Sequence, residues 1–263
     1  MNILQEITAH KKGVIDNRKK LVPVSRLESS EWFNRTPYSF KNAINNANNR
    51  AIIAEFKRKS PSKGIINDIS LVEEVTCGYA DAGAACLSVL TDQKYFHGKN
   101  ADLMVARVFN NIPILRKDFI VSEYQVIEAK AIGADAILLI ANCLTKKETL
   151  VFADLARSLG LGVLLEVHNE QELDTINEFV DVVGVNNRNL ETFEVSLETS
   201  VLLSEKIPSE FVKISESGIS NIKAIEDLAK FGYQGFLIGE NFMREDYPGE
   251  ACKAFISNLN KLQ

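Results

Sequence analysis

Long hydrophobic runs are missing from this 263-residue sequence. No segment reaches about 18 consecutive apolar residues, the length of a membrane-spanning helix, and the N-terminal MNILQEITAHKKG lacks the apolar core of a signal peptide. An excess of positive charge is also missing, because the formal net charge is −5 at pH 7. Nucleic acids and membrane surfaces usually bind basic patches, so we expect neither as a partner. These absences predict a soluble, cytoplasmic protein.

Cysteine and histidine are too few and too scattered to suggest a metal site. The four cysteines form no CxxC pair, and the three histidines form no HExxH motif. We therefore expect reduced thiols and no metal ligands. No linker rich in Pro, Gly or Ser divides the chain, which favours a single domain over residues 1–263.

From residue 51 onward the sequence repeats short apolar runs, each followed by a helical pattern. The runs are continuous rather than alternating, as is typical of parallel strands buried on both faces. Their spacing of roughly 20 to 35 residues is that of a strand-plus-helix unit. Eight units predict an α/β fold, the closed (β/α)8 TIM barrel, whereas no GxGxxG fingerprint supports an open doubly wound sheet. The predicted strands are Ala51–Phe56, Cys86–Leu90, Ile112–Arg116, Ala136–Ile140, Gly162–Leu165, Val180–Val185, Phe211–Ile214 and Gly235–Ile238.

Helices are predicted between these strands, and several end at a glycine suited to a C-terminal stop, such as Gly83, Gly133, Gly160 and Gly232. Residues 1–50 precede the first strand and predict an N-terminal helical extension, with one amphipathic helix before Pro23 and a short one at Tyr38–Asn48. The extension's lysines are interpreted as a solvated face: Lys11, Lys12, Lys19 and Lys20. The helices predicted within the barrel are Leu71–Ala82, Asp102–Asn110, Glu123–Ile132, Lys146–Leu159, Glu170–Phe179, Leu197–Ser204, Ile222–Lys230 and Ala251–Leu262.

The stretch from Ile52 to Gly64, IIAEFKRKSPSKG, joins an apolar strand to a turn-rich loop. Glu55 and Lys57 are two residues apart, so their side chains point to the same face of a strand. Burying two charges there is costly unless they pair or hold a ligand. The stretch therefore predicts one wall of an active site.

Polar residues also stand where most of the other predicted strands end. In a (β/α)8 barrel these positions meet at the C-terminal face, where active sites lie. Crowded opposite charges shift one another's pKa values, so similar groups can serve as acid and base. The candidates beyond the first strand are Lys117, Asp118, Glu166, Asn186, Arg188, Glu216, Ser217, Gly218, Gly239 and Glu240.

Two glycine-containing loops predict a phosphate site. Ser217-Gly218 and Gly239-Glu240 follow strands seven and eight, whose loops commonly bind phosphate in such barrels. Glycine lets backbone N–H groups approach the anion closely, and Ser60 of the first loop adds a hydroxyl. A small phosphorylated molecule is the expected partner.

Several motifs together resemble the indole-3-glycerol phosphate synthase family of tryptophan biosynthesis. They are AEFKRKSPSKG, SVLTDQKYFHG, ILRKDF, LLEVHN, GVNNRNL, SESGI and FLIGENFMR, and the N-terminal ILQEITAHKK resembles that family's extension. The resemblance covers nearly the whole chain. It implies a barrel with extra N-terminal helices that acts on 1-(2-carboxyphenylamino)-1-deoxyribulose 5-phosphate. The implied reaction closes the indole ring with loss of CO2 and water, without metal or organic cofactor.

The resemblance also implies roles for individual residues. Lys117 is the implied general acid for the ketone oxygen, and Glu166 is the carboxylate that stabilises the cationic ring and acts as base. Lys57 is implied to hold the substrate carboxylate and to assist loss of the hydroxyl group, with Glu55 orienting it or taking part in dehydration. Glu240 stands where some members have Ser, so its side chain is expected to point away from the phosphate. The implied substrate contacts are Asn186, Arg188, Glu216, Ser217, Gly218, Gly239, Ser60, Phe96 and Phe119.

Other functions stay open at this point. Another phosphate-binding barrel, such as a phosphoribosyl isomerase or an aldolase-like lyase, is the nearest alternative. An aldolase would use Lys117 to form a Schiff base, which needs a depressed pKa. A non-catalytic phosphate-binding barrel or an interaction subunit would lack some of the charged residues at the strand ends, whereas every expected charged position is filled here. The protein is predicted to be a monomer.

Overall fold

Eight parallel strands close into a barrel in the computed structural model, which describes residues 3–47 and 50–261. Each strand pairs with the next one along the chain, and the barrel closes where the first strand pairs with the last, with Ala51 opposite Gly235. The predicted (β/α)8 barrel is confirmed. Its strands are β1 (Ala51–Phe56), β2 (Cys86–Leu90), β3 (Ile114–Lys117), β4 (Ala136–Ile140), β5 (Gly162–Val167), β6 (Val182–Asn186), β7 (Val212–Glu216) and β8 (Gly235–Ile238).

Helices precede the barrel and connect most of its strands. None of them, over the residues described, is long and apolar enough to cross a membrane. Two 3-10 helices cover Ala141–Cys143 and Gln171–Thr175, and a small hairpin pairs Lys59–Ser60 with Gly64–Ile65. The α-helices are α1 (Ile3–Leu21), α2 (Val24–Glu28), α3 (Phe40–Asn45), α4 (Val72–Asp81), α5 (Gln93–Phe96), α6 (Asn100–Phe109), α7 (Glu123–Ala131), α8 (Lys146–Ser158), α9 (Glu198–Ser204), α10 (Ile222–Ala229), α11 (Glu240–Met243) and α12 (Pro248–Asn260).

Local sequence sets where these helices begin and end. The Thr145 hydroxyl accepts the N–H of Glu148 at 3.2 Å while the Glu148 carboxylate accepts the N–H of Thr145 at 2.8 Å, a capping box that begins α8. After α7, Gly133 adopts a φ of 91°, a left-handed conformation that glycine tolerates without strain. The glycine stop predicted there is confirmed.

The segment between β5 and β6 contradicts the predicted helix over Glu170–Phe179. Only the 3-10 helix Gln171–Thr175 is present. Asn169 Oδ1 accepts the N–H of Glu172 at 3.1 Å, and the Thr175 hydroxyl donates to the Glu172 carbonyl at 2.6 Å. Such local side-chain bonds compete with those of an α-helix, so the helix prediction was wrong.

Four strands extend further toward their carboxyl ends than predicted: β6, which ends at Asn186, and three strands that carry a charged residue there. β3 ends at Lys117, β5 includes Glu166 and β7 ends at Glu216. These three charged residues therefore lie on the strands of the barrel and not in its loops. A site built on strands holds its groups more precisely than a site built on loops.

Apolar side chains fill the space between strands and helices and also the barrel interior. Tyr79 and Ile137 belong to the outer cluster. Within the inner cluster, one layer takes a residue from each of β1, β3, β5 and β7, the alternate strands that together supply a layer of a (β/α)8 barrel. This apolar layer consists of Ile53, Leu115, Leu164 and Ile214.

The N-terminal helices cover both ends of the barrel. Ile44 of α3 is buried beside Gly235, at the amino end of β8. Leu4 and Ile7 of α1 are buried with the inner cluster and line the opposite, carboxyl-terminal mouth. The predicted helical extension is thus confirmed, whereas the assignment of residues 1–263 to one domain stays a prediction. The short helix predicted at Tyr38–Asn48 spans Phe40–Asn45, and Asn48 lies outside the described residues.

Lys11 is buried, so its interpretation as part of a solvated face was wrong. Only 5% of the residue is exposed, and its Nζ lies 2.6 Å from Asp92 Oδ2 and 2.7 Å from Asp118 Oδ1. Helical spacing places Lys11 on the buried face of α1, together with Leu4, Ile7 and Ile15. The other three lysines of the extension are exposed, as predicted: Lys12, Lys19 and Lys20.

Candidate active site

A pocket of about 480 Å³ lies in the barrel mouth, at the carboxyl ends of the strands. Its size suits a small molecule. In the part of the chain that is described, no group of three or more His, Cys, Asp or Glu side chains is arranged to hold a metal ion. Every residue predicted for the site lines this pocket: Glu55, Lys57, Ser60, Phe96, Lys117, Phe119, Glu166, Asn186, Arg188, Glu216, Ser217, Gly218 and Gly239.

One layer of the barrel mouth is charged. Alternate strands contribute the side chains of such a layer, and in most (β/α)8 barrels bulky apolar residues fill it. Here β1, β3, β5 and β7 contribute ionisable groups, of which the three carboxylic residues are at most 3% exposed. Buried charges are costly unless they pair or meet a ligand, which indicates a functional site. This charged layer consists of Glu55, Lys117, Glu166 and Glu216.

Lys117 lies between two carboxylates of the charged layer. Its Nζ is 3.2 Å from Glu166 Oε2 and also donates to Glu216 Oε2. Burial lowers the pKa of Lys117, but the negative charges of Glu216, Glu166 and Glu55 outweigh burial and raise the pKa well above its ordinary value. The amine is therefore an ammonium at neutral pH, without the free electron pair that a Schiff base requires.

The two carboxylates that share Lys117 titrate differently. Burial raises the pKa of Glu216 to about 7, because Lys117 offsets only part of the burial and Glu166 repels a second negative charge. Burial also disfavours ionised Glu166, but Lys117 and His168 outweigh it and hold the pKa of Glu166 well below its ordinary value. The pair therefore takes up one proton near pH 7, and that proton resides mainly on Glu216.

Glu55 and Lys57 form the ion pair that their spacing predicts. Lys57 Nζ is 2.7 Å from Glu55 Oε1. Ser88 lies opposite Glu55 in the register of β1 and β2, and its hydroxyl donates to Glu55 Oε2 at 3.3 Å. Glu55 is thus held from two sides, whereas Lys57 begins the loop that carries Ser60. One residue of the pair is fixed on the barrel, and the other can follow the loop.

Two glycines make room for the carboxylates of the charged layer. A Cβ atom added to Gly184, in the middle of β6, would lie 2.5 Å from Glu216 Oε1. A Cβ atom on Gly239 would lie 2.7 Å from Glu55 Oε1. Glycine weakens a strand interior and often marks a close approach of another group. In this barrel the groups that approach are the two carboxylates.

Gly184→Ala is expected to lower kcat/KM by about 10²-fold, because the new methyl group displaces the Glu216 carboxylate from Lys117. Overpacking should also lower the free energy of unfolding by about 1–3 kcal/mol. Steady-state kinetics and urea unfolding measure the two effects. Gly13→Ala is the control: nothing lies within 4 Å of a Cβ atom there, and helix propensity predicts a gain of about 1 kcal/mol. Unchanged kinetics in Gly184→Ala would refute the requirement for glycine.

The turn after β7 has a strained backbone. Ser217 and Gly218 have φ values of 66° and 78°, in the left-handed region. A non-glycine residue in this region is uncommon and persists where its surroundings hold it. Buried Asn187 does so, since its Nδ2 donates to the carbonyls of Glu216 at 2.9 Å and Ser217 at 3.1 Å. The turn is therefore a preformed part of the pocket wall.

Arg188 and Lys63 add positive charge to the pocket wall. Arg188 Nη2 lies 3.7 Å and Lys63 Nζ 3.6 Å from oxygens of the Glu240 carboxylate. These two cations attract the Glu240 carboxylate, and the expectation that this side chain points away from the phosphate stays a prediction. Asn186 supports Arg188, whose backbone N–H donates to Asn186 Oδ1 at 3.0 Å.

Two phenylalanine rings lie in another part of the pocket. The centroids of Phe96 and Phe119 are 5.9 Å apart, with the ring planes inclined at 38°. Offset aromatic faces of this kind can receive a flat ring. Their role in binding stays a prediction.

Asp118, a candidate from the sequence, lines the pocket as well, but structural contacts hold its carboxylate. Its carboxylate lies 2.7 Å from Lys11 Nζ, 3.2 Å from Arg116 Nη2 and 2.8 Å from the Thr91 hydroxyl. These neighbours hold the pKa of Asp118 below its ordinary value in spite of burial. Asp118 therefore anchors α1 to the barrel beside Lys117.

Sequence reasoning misses several contributors to the site. His168 follows Glu166 by two residues, as Lys57 follows Glu55. The side-chain period of a strand could therefore have indicated His168. Asn187 has no distinguishing signal, because only the strand register decides which of two adjacent asparagines turns inward. The contributors from α1 look like ordinary core residues: Ile3, Leu4 and Ile7.

Fold and site together define a (β/α)8-barrel enzyme with a small-molecule pocket in its mouth. The family model described as indole-3-glycerol phosphate synthase matches residues 4–255 of the chain. The chain therefore belongs to the indole-3-glycerol phosphate synthase family. It is a lyase of tryptophan biosynthesis, and the resemblance noted in its motifs is confirmed.

Curated relatives agree with this assignment, and a solved structure agrees with the fold. An indole-3-glycerol phosphate synthase of Bacteroides thetaiotaomicron is 44% identical over 260 residues, which are 98% of this chain and 99% of the relative. One of Chromobacterium violaceum is 50% identical over 202 residues, 76% of each chain. The tryptophan synthase A-subunit of Pyrococcus furiosus has a similar structure, with a TM-score of 0.60, 16% identity, and coverage of 82% of this chain and 99% of that chain. At that identity the likeness shows the fold alone.

Proposed function

We propose that the charged layer carries out the ring closure that forms indole-3-glycerol phosphate, the product for which the family is named. The substrate is 1-(2-carboxyphenylamino)-1-deoxyribulose 5-phosphate, and the products are indole-3-glycerol phosphate, CO2 and water. The observation that carries the proposal is the Lys117 ammonium held between Glu166 and Glu216. The same pocket contains the turn at Ser217 and a pair of aromatic rings, so it offers surroundings for both ends of this substrate.

Lys117 acts in the first bond-forming step. The ring carbon that bears the carboxylate attacks the ketone carbon, and the ketone oxygen gains the proton that Lys117 donates. The attack leaves positive charge on the aromatic ring. Glu166 stabilises this charge because it is ionised and its pKa is low.

Loss of CO2 and water completes the reaction. The bond between the ring and its carboxylate breaks, and its electron pair restores the aromatic ring. Lys57 then donates a proton to the departing hydroxyl group, and a carboxylate of the charged layer accepts the proton lost from the neighbouring carbon. Glu55 is placed for this step, since it lies 2.7 Å from Lys57 Nζ. Before closure Lys57 also holds the substrate carboxylate.

The remaining pocket residues bind the substrate. Backbone N–H groups of Gly218 and Gly239 and the hydroxyls of Ser60 and Ser217 take the phosphate. The small phosphorylated molecule is the expected partner, and we further propose that the protein works as a monomer in the cytoplasm. Other contacts are with the ring and the hydroxyls of the substrate, from Asn186, Arg188, Glu216, Phe96 and Phe119.

Incubation of the protein with the carboxyphenylamino substrate tests this function. We expect indole fluorescence to grow, with one CO2 released per indole formed. Borohydride added with a ketose phosphate should leave Lys117 unmodified by mass spectrometry, since its amine is protonated. Substrate binding without indole formation, or a reduced adduct on Lys117, would refute the proposal.

The rate should rise with pH through about 7. Below the Glu216 pKa of about 7 the carboxyl group is protonated and no longer holds Lys117 by charge, so kcat/KM should fall as pH decreases. A pH–rate profile from about pH 5.5 to about pH 9 measures the effect. Glu216→Gln should lose this limb along with most of the activity. A wild-type profile that stays flat across neutral pH would contradict the assignment.

A further inference from the structure

His168 lies directly after β5, behind Glu166 as seen from the pocket. Its Nε2 is 3.4 Å from Glu166 Oε1, and its Nδ1 is 3.2 Å from Glu172 Oε2. Among the described residues, Glu166 lines the pocket and His168 does not. An imidazole offers a donor to a carboxylate on each side only when both nitrogens are protonated. The two carboxylates therefore favour an imidazolium.

Glu172 fixes the position of this ring. Its carboxylate accepts the backbone N–H of His168 at 2.7 Å, Asn142 Nδ2 at 2.9 Å and Asn169 Nδ2 at 2.8 Å. Glu172 is itself only 9% exposed. With these three donors in place the carboxylate cannot turn away, so the imidazole is held against Glu166.

The charge balance of the mouth also favours a third cation. The charged layer contains three carboxylic groups, whereas Lys117 and Lys57 supply only two positive charges. An uncompensated buried charge is costly. The two oxygens of Glu166 have separate neighbours, because Oε2 faces Lys117 and Oε1 faces His168. Glu172 adds a fourth carboxylate, and Glu216 takes up a proton near pH 7. With an imidazolium at His168, three cations then balance the three ionised carboxylates, and the second oxygen of Glu166 has a positive neighbour.

Other ionisable groups near this pair agree with that state. Burial lowers the pKa of His168, but Glu166 and Glu172 outweigh it and raise the pKa to about 10. Burial, with help from the same two carboxylates, raises the pKa of Cys143 to about 12, so this thiol stays neutral. On the pocket side, Glu166 faces Lys117 and Glu216, whose pKa directions are described above, and the amide of Asn186.

We propose that His168 is a positioning residue for the ring closure. Its imidazolium, held by Glu172, keeps the Glu166 carboxylate ionised and oriented. The inference deepens the proposed function, because it rests on the role of Glu166 in stabilising the cationic ring. With a neutral residue at 168 the Glu166–Glu216 pair takes up its proton at a higher pH, and protonated Glu166 cannot offset positive charge on the substrate.

His168→Gln tests the charge while keeping a polar side chain of similar length. The acidic limb of kcat/KM should move up by about one pH unit, so activity falls about tenfold at acidic pH and changes little at alkaline pH. The change should appear in kcat and not in KM, since His168 does not line the pocket. His10→Gln, on α1, is the control and should keep the wild-type profile. An equal loss at every pH, or an unchanged limb, would overturn the proposal.

A titration of the wild-type protein by histidine-selective NMR avoids any effect of mutation on folding. The His168 resonance, assigned from its absence in His168→Gln, should stay that of an imidazolium well above pH 7. Titration near its ordinary pKa of about 6.5 would overturn the proposal. Glu166→Gln distinguishes a failure of the proposed function from a failure of the inference about His168. If that variant turns over normally, the proposed role of Glu166 is wrong, while the NMR titration still decides the charge of His168.

Discussion

Lys117→Met should lower kcat by about 10²–10⁴-fold, the usual contribution of a positioned acid, while the substrate still binds. Methionine has a similar length but no proton to donate to the ketone oxygen. The phosphate and the ring are proposed to contact other residues, so the dissociation constant should change little. Indole fluorescence gives kcat, and equilibrium titration with substrate gives the affinity.

Two controls make the Lys117 experiment decisive. Lys223→Met changes a lysine whose side chain is 82% exposed, and it should leave turnover unchanged. Thermal unfolding of Lys117→Met should show a folded protein, since loss of the ammonium leaves Glu166 and Glu216 free to share a proton. Near-normal turnover in a folded Lys117→Met protein would refute its role as the acid.

Lys11→Met should lower the free energy of unfolding by about 3 kcal/mol, the typical cost of removing one partner from a buried ion pair. The Lys11 ammonium lies within 2.7 Å of both Asp92 and Asp118 and is nearly inaccessible to solvent. Without it, two buried carboxylates lose their shared cation, although Asp118 keeps Arg116. Urea unfolding at neutral pH measures the loss.

Lys12→Met is the matched control for the Lys11 variant. Lys12 is the next residue of α1 and is exposed, so its replacement should change stability by no more than about 0.5 kcal/mol. A loss below about 1 kcal/mol for Lys11→Met would place its ion pairs among ordinary surface pairs. That outcome would contradict the anchoring of α1 through Lys11.

The barrel and its catalytic face could be predicted because they follow from periodicities that are visible in one sequence. Buried parallel strands give continuous apolar runs, and a strand's period of two puts Glu55 and Lys57 on one face. The known position of active sites at strand carboxyl ends then selects Lys117, Glu166 and Glu216. The barrel and its catalytic face are predictable because they depend on the order of strands and helices and not on contacts between distant residues.

The errors arise where particular contacts, and not periodicity, decide the structure. Lys11 looks like a surface lysine until Asp92 and Asp118 arrive from other parts of the chain. Local competition by side chains also removes the helix predicted at Glu170–Phe179, an effect that hydrophobic periodicity does not register.

The central claim is that Lys117 protonates the ketone oxygen while Glu166 faces the aromatic ring. The most direct test is a structure of the protein with a substrate analogue in which the ketone is reduced to an alcohol. Such a molecule keeps the shape of the substrate but cannot undergo ring closure. The account predicts that the alcohol oxygen lies within about 3 Å of Lys117 Nζ, that the aromatic ring faces Glu166, and that the phosphate rests on the Ser217–Gly218 turn. A phosphate bound at Lys117, with the aromatic ring outside the charged layer, would contradict it.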